Sequence, residues 1–448
     1  MRASGNTYGW LLQRARMHVD KAERTAAVAL YHEAARVRAW DPLPYLELAQ
    51  VYVDWGRYDE ALEAVFKAEW RGGDAAELER LRVLIHETWA ETVTSDKVSH
   101  WKRVMEHGQR VLGLEPADRD VRAAVGRAYL QLREWEAARS LYQELTVSDP
   151  TDVRSRERLG ILLLGDDPRA LQYLFASGTD LAQSLLDVYT GDLVDEDPAY
   201  VHVVVGRVLM EHQNWALAAH HLGRAVEQNP GYADAHAYLG RVLDRMGYRE
   251  QAASHLSAAV ALKPKSALAH TFLGLHYDAW GQTADARAEY ETAYDLAPDN
   301  PAVCVEIGQS WAAEGRYTVA EIWLREAVAL RPDDAALWEV LARFYLNHNI
   351  TSNDRALEAT ERLSELAPRS AEAHDLRGWA AIQMGSYEAA ETHLERAIEL
   401  DAALASAHYH LGLLRSAQGR EHEAETAFER AVDLDTTGAV VPLVERAK

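Results

Sequence analysis

The sequence predicts an all-α chain of stacked antiparallel helix pairs, and three observations predict it. Gly240, Gly274 and Gly308 recur at a fixed step of 34 residues. Each is followed seven residues later by a second glycine, Gly247, Gly281 and Gly315. In phase with them return Leu239, Leu273 and Ile307, then Ala252, Ala286 and Ala320, then Ala259, Ala293 and Ala327, then Pro264, Pro298 and Pro332. A step of this length marks an array of helix pairs, because one pair cannot bury its apolar face alone and must stack on the next.

Positions are counted within a unit from the residue seven before the first glycine. Glycine at position 8 lets the second helix approach the first, with alanine at position 20 (Ala61, Ala138, Ala218, Ala390, Ala424) as the small residue facing it. Glycine at position 15, as in Gly56, Gly385 and Gly419, permits a left-handed backbone where the first helix ends. Proline at position 32 (Pro150, Pro230, Pro264, Pro368) stops the second helix, often with Asp or Asn beside it to cap the next. A large residue at position 24 (Tyr142, Leu222, Tyr290, Phe428) is expected to fill the space between neighbouring units.

Taken in order, clear units run over 42–75, 119–152, 199–232, 233–266, 267–300, 301–334, 371–404 and 405–438. A further unit, 335–370, has two extra residues in its turn near Thr351 and Ser352, and Ala342 in place of glycine. The stretches 8–41, 76–118 and 153–198 fit less well. In 153–198, Asp166-Asp167-Pro168 starts a helix early and Gly178-Thr179-Asp180 restarts it, so one degenerate unit plus an extra helix is expected. The domain reading is therefore an amino-terminal array over 1–152, a joint over 153–198, a regular carboxy-terminal array over 199–438 and a short tail over 439–448.

Leu-Gly followed by a large residue, then the two alanines with a large residue between them, then proline, make the chain resemble the tetratricopeptide repeat family over nearly its whole length. The resemblance implies an α-α superhelix, a right-handed solenoid of antiparallel helix pairs. It also implies protein or peptide binding in a concave groove lined by the first helices.

Composition narrows the function. A net charge of -23 on 448 residues disfavours nucleic acid and anionic membrane surfaces as partners. Cys304 is the only cysteine, so no intrachain disulfide forms; with no apolar leader or spanning segment, a cytoplasmic protein is expected. The Asn349-Ile350-Thr351 sequon is then a chance match.

No phosphate-binding loop, Gly-x-Gly-x-x-Gly, Gly-x-Ser-x-Gly or His-Glu-x-x-His pattern occurs, and no acid and base pair stands out. His32-Glu33 and His86-Glu87 lack the second histidine, with Arg36 and Ala90 in its place. The acidic turn 191–198 lacks the spacing of a calcium loop and reads as a solvated linker. The expectation is no catalysis, no cofactor and no metal. His202, His236, His270, His374 and His408 share position 4, and His221, His255 and His393 share position 23. Position 4 reads as half-buried ring filler and position 23 as a solvated or inter-unit hydrogen-bonding face, in columns about 8 to 10 Å apart.

Groove positions 2, 5, 9, 12 and 13, carried over from the resemblance, give candidate peptide-binding residues. Position 9 supplies Arg127, Arg207, Arg241 and Arg343, and position 13 adds Arg245. Between them lie Ala123, Leu130, Val203, Met210, Ala237, Leu275 and Val305. Arginines separated by apolar contacts suit an acidic peptide, because a guanidinium holds a carboxylate with two parallel hydrogen bonds. The competing reading pairs Arg207, Arg241 and Arg245 with Asp234, Asp244 and Glu211 as ordinary surface ion pairs.

Two groove patterns of related proteins are absent. The chaperone carboxylate clamp needs Lys at position 5 and Asn at position 9, where this chain has Ala237, Thr271 and Val305, then Arg241, Leu275 and Gln309. The glycosyltransferase asparagine ladder at position 6 reads Val204, Tyr238, Phe272, Glu306 and His410. The functional expectation is a non-catalytic scaffold or adaptor binding a protein or acidic segment. The alternatives are a self-associating scaffold and a regulatory or peptide-sensing subunit of an enzyme complex. With Pro442 interrupting the tail, Phe428, Ala431 and Val432 form an edge that is either open to a second copy, giving a homo-oligomer, or covered by Val440, Val441, Leu443 and Val444 folding back.

Overall fold

Each expected unit forms one helix pair. The computed structural model describes residues 2–93, 96–191, 197–348 and 353–447, and among these there are only helices, turns and bends. The chain opens with α1 (Arg2–Asp20) and α2 (Arg24–Val37), α3 (Leu43–Asp54) and α4 (Tyr58–Glu69), α5 (Ala75–Thr92) and α6 (Lys97–Leu114), α7 (Arg119–Gln131) and α8 (Trp135–Ser148). Three shorter helices follow, α9 (Val153–Leu163), α10 (Arg169–Ser177) and α11 (Asp180–Gly191). The next pairs are α12 (Pro198–Glu211) and α13 (Trp215–Gln228), α14 (Ala233–Met246) and α15 (Arg249–Leu262), α16 (Ala267–Ala279) and α17 (Thr283–Leu296), α18 (Pro301–Ala313) and α19 (Tyr317–Leu330). The last are α20 (Ala335–His348) and α21 (Asn353–Leu366), α22 (Ala371–Gln383) and α23 (Tyr387–Leu400), α24 (Ala405–Ala417) and α25 (Glu421–Leu434), then α26 (Val441–Ala447). The fold class is an all-α superhelix of antiparallel pairs, as the repeat step predicts. Thr351, Ser352, the sequon and most of the acidic turn lie outside the described residues.

The repeated glycine has a different partner from the one expected. A Cβ built on Gly274 would lie 2.5 Å from Tyr290 Cε1 and 3.1 Å from the Ala286 carbonyl oxygen. Gly240 meets Leu256 and Gly378 meets Leu394 in the same way. The large residue at position 24 therefore packs over the glycine of its own unit, and the position-20 alanine contributes its backbone. Tyr290 and Leu256 are both completely buried there.

Packing divides the chain into two compact units, one of residues 1–73 with 298–448 and one of residues 74–297. In the first, the α1–α2 turn and the end of α3 close on the end of α25. The Thr25 amide and hydroxyl both donate to Asp433 Oδ1, at 2.9 and 2.7 Å. Trp55 Nε1 donates to the Val432 carbonyl at 3.1 Å, and Arg430 Nη1 to the Ala22 carbonyl at 3.0 Å. Gly56, at φ +73°, lies so close to the Thr436 carbonyl that a Cβ has no room.

The carboxy-terminal edge is covered. Phe428 and Ala431 are buried in one cluster with Val440 and Val444. The Asp435 carboxylate accepts the Val440 amide at 2.7 Å and turns the chain back. Pro442 does not interrupt a helix there. It lies in the first turn of α26, where a missing N–H costs nothing.

In the second unit, Leu159, Leu163, Leu174 and Leu185 of the three short helices share one core with Leu209, Leu217 and Leu222 of α12 and α13. Farther along this unit the chain touches itself again, where Tyr248 Oη donates to the Gln131 carbonyl at 2.9 Å.

Candidate functional site

The groove positions separate into those that pack and those that face solvent. Val203, Leu130 and Ala237 are buried and belong to the core, because each turns toward a neighbouring helix and not toward the open face. Met210, Leu275, Val305 and Ala123 are half-buried. Arg127 is engaged: its Nε and Nη2 reach Glu87 of α5 at 2.5 and 2.9 Å. Burial opposes its charge, but the Glu87 hydrogen bonds outweigh burial and hold its pKa above the ordinary arginine range. Arg343, in the other unit, pairs with Glu339 one turn away at 2.8 Å and lines a separate hollow with Gln309 and Phe344.

Arg207 and Arg245 are exposed, and among the described residues neither makes an ion pair. Each guanidinium lies over a ring, Arg207 at 5.8 Å from the Tyr238 centroid and Arg245 at 5.2 Å from that of Trp215. Such contacts orient a cation without neutralising it. Two of the three carboxylates that competed for them are turned elsewhere: Asp234 faces Lys263 at 3.6 Å, and Asp244 accepts from His276 Nδ1 at 2.7 Å. Glu211 lies near the Tyr238 ring and makes no ion pair with Arg207.

Arg241 and Arg245 line a cleft of about 390 Å³ with Asp244, Ala279 and Trp280. Its opposite wall is Glu91, Thr92, Val93 and Lys97, from the tip joining α5 and α6. Lys97 Nζ donates to the Arg245 carbonyl at 3.2 Å, and the Lys97 stem packs against Gly247. Burial, then the Arg245 charge, pull the Lys97 pKa below its ordinary value, while burial and then the Glu87 charge push that of Glu91 up. The sequence reading missed this wall. Its signal was the length of the 76–118 stretch: α5 and α6 have 18 residues each, where α7 has 13, and the extra turn brings the end of α5 and the start of α6 to α14.

The histidine columns also meet. His202 Nδ1 lies 2.9 Å from His221 Nδ1, His236 from His255 at 3.0 Å, and His374 from His393 at 3.4 Å. The helix-packing estimate of column spacing fails because both side chains lean into the gap between their helices. The other ring nitrogen at position 4 repeatedly donates to the carbonyl six residues before it, as in His236 to Pro230 and His270 to Pro264, and Trp338 Nε1 does the same to Pro332. His221 Nε2 donates to the Ile161 carbonyl at 3.0 Å. Among the described residues no three potential metal ligands converge.

Sequence profiles of known families decide the relationship. Profiles described as tetratricopeptide repeat match residues 109–180, 209–275, 279–344 and 405–437, and one described as TPR repeat matches 378–419, together more than half of the chain. The chain belongs to the tetratricopeptide repeat family. No curated protein matches it by sequence. Solved structures similar to this repeat protein include a tetratricopeptide repeat protein from Parabacteroides merdae, 16% identical over 56% of this chain and 97% of that one, with a TM-score of 0.43. Yeast Tom70 is 15% identical over 99% of this chain and 96% of its own, with a TM-score of 0.42. YrrB, described as a TPR protein with an unusual peptide-binding site, is 21% identical over 42% of this chain and 95% of its own, at 0.35. The repeats make the protein an interaction scaffold in the general sense, and no described helix is long and apolar enough to cross a membrane.

Proposed function

We propose that this protein is a non-catalytic, cytoplasmic adaptor whose repeats hold an acidic segment of a partner protein on the first helices of the second unit, at Arg207, Arg241 and Arg245. The observation that carries this reading is the state of Arg207 and Arg245, cations braced on aromatic rings and not spent on internal carboxylates. On a chain with a net charge of -23, such cations stand out as sites for an anionic partner. The single thiol, Cys304, is buried and its pKa is pushed up to about 11 by burial, which fits a packing role in a reducing compartment.

The test is affinity capture from lysate at two salt concentrations with the wild-type chain and with Arg207→Ala/Arg241→Ala/Arg245→Ala. The triple variant should keep its helicity and lose a partner that the wild type releases in high salt. Full capture by the triple variant sinks the reading. Self-association through the carboxy-terminal edge has no comparable support, since Phe428 is only 3% exposed.

A further inference from the structure

We infer that the cleft between the α5–α6 tip and α14 is a subsite for one acidic residue of the bound segment, with its carboxylate on Lys97 and Arg245 and its backbone amide group on Asp244 and Trp280. The inference rests on the peptide-binding reading above and names where the acidic group goes. Three cations line this cleft, Lys97, Arg241 and Arg245. Two of them are matched by no carboxylate among the described residues: Lys97 donates to a backbone carbonyl, and Arg245 rests on Trp215. Asp244 is spoken for on one side by His276.

Two further polar atoms in the cleft wall lack a protein hydrogen-bond partner. One is Asp244 Oδ2, an acceptor on a side chain only 4% exposed, and the other is Trp280 Nε1, a donor. Leaving such atoms buried and unpaired is costly, so they state the chemistry that completes them. The occupant needs an anionic group, an N–H for Asp244 and a carbonyl for Trp280. An amino-acid residue within a peptide has all three. Inorganic phosphate suits the cations but brings no amide N–H and is repelled by Asp244. A neutral peptide leaves Lys97 and Arg245 unmatched. The volume of about 390 Å³ accommodates one or two residues of extended chain. The carboxylate comes either from an acidic side chain or from a free carboxy terminus, and both offer the same group.

The probe is the indole N–H resonance of Trp280 in the full chain with isotopically labelled tryptophan, assigned by its loss in Trp280→Phe. Three peptides are titrated: acetyl-Ala-Ala-Glu-Ala-Ala-amide, acetyl-Ala-Ala-Ala-Ala with a free carboxylate, and acetyl-Ala-Ala-Gln-Ala-Ala-amide. At least one acidic peptide should move the resonance at about 1 mM, and the one that does so identifies the source of the carboxylate. Lys97→Gln, which keeps a donor for the Arg245 carbonyl, should weaken that binding about tenfold. A Trp280 signal unmoved by both acidic peptides, or moved equally by the glutamine peptide, overturns the subsite without requiring any variant to fold. Arg207 lies outside the cleft and separates the two readings. If Arg207→Ala loses the captured partner while Trp280 stays silent, the groove stands and the subsite falls. If Trp280 responds and Arg207→Ala changes nothing, the subsite stands without the wider groove.

Discussion

His236 Nδ1 and His255 Nδ1 face each other at 3.0 Å between α14 and α15. His236 Nε2 donates to the Pro230 carbonyl, so in a neutral ring its Nδ1 is bare and His255 must supply the proton. A second proton sets N–H against N–H. Burial, then His236, then Arg133 lower the pKa of His255 to about 4. Because the folded value lies below the unfolded value of about 6.5, the folded state holds fewer protons. The stability contributed by the neutral ring is complete above about pH 6.5 and is lost as pH falls toward 4. Thermal melts from pH 7 to 4.5 should show a steady fall, and His255→Leu should flatten part of it. An unchanged slope in that variant excludes the pair as a source of acid lability.

Gly274→Leu should cost about 2 kcal/mol or more, the scale of overpacking, because Tyr290 and the Ala286 carbonyl already fill the space. The tyrosine is fully buried and has no free direction in which to move. Chemical denaturation measures the loss, and a wild-type midpoint refutes the packing.

Asp433→Ala removes the acceptor of two Thr25 hydrogen bonds. A loss of about 1 to 3 kcal/mol is expected for a partly buried network of this kind. Amide exchange should accelerate in α2, far earlier in the chain, as well as in α25. Acceleration confined to α25 contradicts the closure.

Arg127 and Glu87 should be coupled in stability. A double-mutant cycle with Arg127→Ala and Glu87→Ala should return about 1 kcal/mol, consistent with a half-buried bidentate pair. Partner capture should be unaffected by Glu87→Ala, since Arg127 is bound internally. A coupling near zero would return Arg127 to the candidate binding surface.

Helix existence and pairing were legible from the sequence because glycine, alanine and proline mark positions where backbone geometry allows few alternatives. The alternate arginines and histidines were harder to read. Their position in a unit told which helix face they occupy, but not the partner reached from elsewhere in the chain. Arg127 found Glu87 forty residues earlier, and the backbone carbonyl of Arg245 took a hydrogen bond from Lys97 across 148 residues. Val203 was misassigned for the opposite reason, since a face open in an isolated pair is buried once its neighbour stacks. The tail followed the same logic: Pro442 reads as a breaker until it is placed in a first turn.

The compact unit made from residues 1–73 and 298–448 sets a problem of timing during synthesis. Trp55 precedes its acceptor at Val432 by 377 residues, and Thr25 precedes Asp433 by 408. At about 5 to 20 residues per second, the ribosome releases the first two helix pairs roughly 20 to 80 s before the surface that closes on them exists. During that interval the nascent chain displays the end of α3 and the α1–α2 turn without their eventual cover, so the first helix pairs must wait, uncapped, for the last to be made.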